Sequence, residues 1–180
     1  LSPHDCVAAD ALTYPGFKMA ADLHGLALKP ISCQANGPNL DALEALCRRE
    51  RIRAIYAMPT LHNPLGWVLT TQARQHLVDI ARRHNCMLIE DASYAFLAGK
   101  SPPPLATLAP ERTIYVSSLS KSLASGLRFG FVVVPDACTK QFNGNDARVH
   151  RPVSAAVVSN ARTGNPPPQK RGDGPARHSH

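Results

Sequence analysis

One feature constrains the fold of this chain more than any other, an alternation of two hydrophobic periods. Six short, mostly apolar runs, VAAD (7–10), LALKPI (26–31), RAIYAM (53–58), CMLIED (86–91), TIYVSS (113–118) and FVVVP (131–135), read as strands. Helical patterns lie between several of them. GPNLDALEALCRRE (37–50) has apolar residues at 40, 43, 46 and 47, with Asn39 placed as an N-cap. TTQARQHLVDIARRHN (70–85) opens on threonines, carries Ala73, Leu77, Ile80, Ala81 and His84 on one face, and closes on Asn85. Strands that are apolar throughout have no face for water, so both faces must be covered. The expected fold is therefore α/β, a three-layer α/β/α arrangement around a mostly parallel sheet. Such folds bind ligands at the carboxyl ends of their strands. The polar residues lie there: Asn63 after IYAMP, Asp91 at the end of CMLIED and Ser118 at the end of TIYVSS.

The alternation stops near residue 138. Residues 1–138 hold 13 Lys and Arg against 11 Asp and Glu, whereas residues 139–180 hold 7 against 2. The formal net charge of +7 thus resides mainly in the tail, and the body offers no charge argument for nucleic acid. The tail, rich in Pro, Gly, Asn and Arg, has no useful period outside VSAAVV. It reads either as a disordered basic segment or as out-of-frame translation of a GC-rich gene. The expected organisation is a body over 1–138 and a tail over 139–180. Five cysteines with no C-x-x-C pair point to reduced thiols and a cytoplasmic setting, with no zinc site and no disulfide framework. No apolar run reaches membrane-spanning length. The first residue is not Met, so the chain is expected to begin inside a larger protein.

Four stretches carry the chemistry: TYPG (13–16), HNPLG (62–66), EDASY (90–94) and SSLSKSLASGLRFG (117–130). The ordinary fate of a lysine is exposure. Lys121 differs in its company. Ser118 and Ser120 supply hydroxyl donors and Arg128 a guanidinium, the groups a phosphate needs, while Gly126 and Gly130 permit tight backbone. A lysine beside a phosphate set suits a phosphorylated aldehyde, which an unprotonated amine captures as a Schiff base. Asp91 suits a pyridinium nitrogen; Glu90, one residue earlier, points to the opposite face. Asn63 and Tyr94 can hydrogen-bond a ring hydroxyl, and Tyr14 can stack on a ring. Each has a plain alternative in turn chemistry or packing.

Together these residues resemble the large domain of the fold-type I, pyridoxal 5′-phosphate-dependent aminotransferases of class I/II. The family pattern is an aromatic before Pro, then N-P-x-G, D-x-x-Y, and S-x-S-K followed by Arg-x-Gly. It is met in order by Tyr14-Pro15, Asn63-Pro64-Leu65-Gly66, Asp91 to Tyr94, and Ser118-Leu119-Ser120-Lys121 with Arg128-Phe129-Gly130. The resemblance implies that Lys121 forms the Schiff base and shuttles a proton, and that Asp91 pairs with the pyridine nitrogen. It implies Asn63 and Tyr94 at the ring oxygen, Tyr14 over the ring, and Ser118, Ser120 and Arg128 at the phosphate. The implied activity is amino-group transfer between an amino acid and a 2-oxo acid, in a homodimer. DALTYPGFK, YAMPTLHNPLG and GFVVVP are most similar to the aminotransferase-like domains of MocR regulators of the GntR family, which sense pyridoxal phosphate and an amine or amino acid. In that alternative DNA is met only through a winged helix absent from this chain. Ala92 and Ser93 stand where MocR sequences usually carry Asp-Val. The family's Gly-rich phosphate turn and small C-terminal domain have no counterpart here. The chain is thus expected to be a fragment, with weak or no turnover of its own.

Overall fold

The computed structural model describes residues 1–118, 129–139, 147–150 and 155–159. The apolar runs form β1 (Cys6–Asp10), β2 (Ala27–Ile31), β5 (Ile52–Ala57), β6 (Met87–Asp91), β7 (Thr113–Ser118) and β8 (Phe129–Val133). A two-stranded ribbon, β3 (Cys33–Gln34) with β4 (Gly37–Pro38), precedes the helix α2 (Leu40–Arg49). Within the tail, β9 (Ala147–His150) and β10 (Ala155–Ser159) add two strands, the latter from VSAAVV. The main sheet runs β2-β1-β5-β6-β7-β8-β10-β9. Pairings from β2 to β7 are parallel; β8, β10 and β9 join antiparallel. The sheet is mostly parallel over the body, as expected, with an antiparallel margin that the sequence patterns do not show.

The helices cover the two faces in the way the strand residues demand. Side chains alternate across a strand. Ala8, Ile55, Ala57 and Leu88 therefore share one apolar cluster with Leu43 and Leu46 of α2, Leu77, Val78, Ile80 and Ala81 of α3 (Thr71–Arg83), and Leu105 of α4 (Leu105–Leu108). Val7, Ala9, Ala54, Tyr56 and Met58 form the cluster on the other face, against Phe17 of α1 (Pro15–Leu23). The N-caps follow the sequence: Asn39 Oδ1 accepts from Ala42 N at 3.0 Å, and Thr70 Oγ1 from Ala73 N at 3.1 Å. Asn85, at φ 52°, takes the left-handed position after α3.

One expectation about α3 needs correction. Ala73 is only half-buried, while Arg74 is fully buried. The guanidinium donates to Leu69 O, Pro103 O, Pro59 O and Thr60 Oγ1 at 2.8–3.1 Å, so α3 turns a charge inward with its N–H groups hydrogen-bonded to neutral acceptors.

From β2 the chain crosses back over β1 to reach β5, then steps outward to β6 and β7. The reversal between β1 and β5 is a topological switch point, where a crevice opens at the carboxyl ends of the strands. Asp10, Asp91 and Ser118 end their strands at that rim.

Candidate active site

Asp91 closes β6 and is held by two donors. Tyr56 Oη donates to Oδ2 at 2.6 Å, and Ser93 N to Oδ1 at 2.9 Å. The carboxylate is half-buried, so it is fixed yet reachable. Glu90 goes the other way, as strand alternation requires. It is 1% exposed, and its Oε2 accepts from Ala106 N at 2.9 Å in α4. Burial pushes its carboxyl above the usual carboxylate range.

Asn63 and Tyr94 line one cleft of about 310 Å³ together with Leu61, His62, Pro64, Gly66 and Leu97. That volume lies at the lower end of the range of small-ligand sites. Asn63 sits in a turn closed by Gly66 N to His62 O at 2.6 Å, and Asn63-Pro64 is a cis peptide. Tyr94 packs on the cluster that contains Tyr56, which ties the cleft wall to the Asp91 hydroxyl donor.

Tyr14 precedes α1, is 40% exposed, and lies over Gly16, where an added Cβ would fall 2.5 Å from the phenol ring. Phe17 N donates to Tyr14 O at 3.0 Å, and the Phe17 ring stacks on Tyr56 at 3.7 Å and 7°. Ser118 ends β7, beside β6, and pairs with Gly130 of β8. A Cβ on Gly130 would come within 3.2 Å of Ser117 O, so glycine suits the close backbone there. Ser120, Lys121 and Arg128 lie outside the described residues.

Three polar groups at this rim have no role assigned by the sequence motifs. Tyr56 is one. The others are Asp10 and His62, both buried, with His62 Nε2 3.2 Å from Asp10 Oδ2. That is ion-pair distance, without the alignment of a hydrogen bond. His62 Nδ1 accepts from Leu65 N at 3.3 Å. The imidazole also rests on Trp67, with ring centres 4.1 Å apart. The signal for these groups was position: a polar residue at the end of β1, and a histidine inside HNPLG.

The donor set has a definite chemistry. A fixed carboxylate suits a protonated ring nitrogen, while an amide and a phenol on one cleft wall suit a ring oxygen. A hydroxyl stands at the next strand end. These residues fit pyridoxal phosphate.

An α/β sheet with a carboxylate and polar side chains at its switch-point rim is the frame of a small-molecule-binding or catalytic domain. The family model "aminotransferase class I and II" matches residues 1–169, and the chain belongs to that family. It is 39% identical over 133 residues to the "uncharacterized HTH-type transcriptional regulator YdeF" of Bacillus subtilis, covering 74% of this chain and 29% of the relative. It is 33% identical over 155 residues to the "2-aminoadipate transaminase" of Thermus thermophilus, covering 82% and 39%. Among solved structures, the α-aminoadipate aminotransferase LysN of Thermus thermophilus, complexed with N-(5′-phosphopyridoxyl)-L-leucine, superposes with a TM-score of 0.72 at 33% identity. That match covers 78% of this chain and 38% of the other. The chain thus spans well under half the length of these relatives. Among the described residues, no helix is long and apolar enough to cross a membrane.

Proposed function

We propose that this chain is the cofactor-binding part of a pyridoxal 5′-phosphate-dependent aminotransferase, which moves an amino group between an amino acid and a 2-oxo acid. The supporting observation is Asp91, fixed by two donors at the end of a strand, three residues before Tyr94, which shares a cleft with Asn63. When bound, the cofactor supplies an aldehyde and an electron-withdrawing ring. Asp91 accepts from the ring nitrogen. Asn63 and Tyr94 bind the ring oxygen, and Tyr14 covers a ring face. Ser118, Ser120 and Arg128 hold the phosphate by hydroxyl donors and a guanidinium fork. Lys121 would supply the amine that holds the aldehyde and would move the substrate's proton. The working protein is a cytoplasmic homodimer in this reading. The test is a titration with pyridoxal 5′-phosphate. A visible absorption band is expected in the wild type and absent in Lys121→Ala; an unchanged band in the variant overturns the assignment.

A second reading has its own support, the likeness to YdeF and to the regulators YcxD and YjiR. There the same residues form a sensor for pyridoxal phosphate and an amino acid, and DNA is met through another domain. Binding without turnover in the full-length protein favours this reading; turnover favours the first.

A further inference from the structure

Tyr56 is an unusual residue for its place. It lies in a central strand, flanked by β1 and β6, and is only 4% exposed. Its Cα partner in β6 is Ile89, so Asp91, two residues on, shares its face of the sheet. The phenol ring is clamped by the Phe17 stack from α1 and by the apolar cluster of Val7, Ala9, Ala54 and Met58. Burial and the Asp91 charge push the phenol well above its ordinary range, so it remains an O–H donor. Among the described residues, its hydroxyl donates to Asp91 Oδ2 at 2.6 Å.

The geometry points to Tyr56 as a positioning residue: its clamped hydroxyl fixes the Asp91 carboxylate so that the remaining lone pairs meet the protonated ring nitrogen of a bound pyridine. An ionised carboxylate has about four lone-pair sites. Tyr56 and Ser93 N take one on each oxygen, so the group cannot rotate but can still accept. Because the phenol comes from β5 and its ring is held by α1, the direction of Asp91 depends on two elements outside its own strand. The inference rests on the pyridoxal phosphate reading of the site.

The experiment compares binding of pyridoxal 5′-phosphate with binding of its 1-deaza analogue, in which C–H replaces the ring nitrogen. Tyr56→Phe keeps the ring and its stack and removes only the hydroxyl. Its affinity for pyridoxal phosphate is expected to fall about tenfold, the scale of one hydrogen bond to a charged group. Its affinity for the deaza analogue should stay unchanged, because that ligand has no nitrogen for Asp91 to meet. In an Asp91→Ala background the same substitution should change neither. Equal losses for both ligands would reduce Tyr56 to packing, and no loss for either would remove the role; both results overturn the inference while leaving the cofactor reading intact. If Tyr56→Phe does not fold, Phe17→Leu, which loosens the clamp, decides by the same selectivity. A wild type that binds neither compound overturns both readings together.

Discussion

Among the described residues, Arg74 is the largest fully buried side chain, larger than any buried leucine or isoleucine. It ties the start of α3 to the loops at Pro59–Thr60 and Pro103 through three hydrogen bonds, and to Leu69 O through a fourth. Removing it leaves buried acceptors without donors, the costly half of the hydrogen-bond asymmetry. Arg74→Met is expected to lower unfolding stability by about 3 kcal/mol, measured by urea denaturation with an unchanged slope. A loss below about 1 kcal/mol would mean that the loops find other donors. Helical period placed Ala73 on the inward face of α3 and did not show Arg74 there, because three of the four groups that satisfy Arg74 lie 14 to 29 residues away in the chain. The Asp91 and Glu90 pair was legible, since alternation along one strand decides it locally. Tyr56 was legible only as a strand residue. Its meeting with Asp91, 35 residues on, depends on the register of β5 against β6.

At the scale of elements, local chemistry decided what could be read. Asn39 and Thr70 announced their helices because a cap is a contact between residues three apart. Asn39→Ala is expected to cost about 1 kcal/mol in thermal or urea unfolding, and Asn39→Asp close to nothing. Equal costs for the two would show that the side chain does something other than cap. The helix α1 lacked a clear pattern: Met19 and Leu23 are exposed, and Ala21 is its one buried residue. The helix α4 is too short to display a period. The direction of β8 was not legible either, because an all-apolar strand satisfies a parallel or an antiparallel neighbour equally well.

At the scale of the whole molecule, alternating strands and helices specify a covered sheet, and the sheet's reversal between β1 and β5 sets where a ligand can sit. The chain belongs to the aminotransferase class I and II family, and both its chemistry and the roles of single residues rest on the proposals about Lys121 and its neighbours. The chain contains six lysines, at 18, 29, 100, 121, 140 and 170, and the account assigns the aldehyde to one. Equimolar pyridoxal 5′-phosphate, reduction with borohydride and peptide mapping by mass spectrometry separate them. The expected result is a single pyridoxyl group on Lys121. Label spread over Lys18, Lys29 and Lys100, or absent from Lys121, would contradict the account.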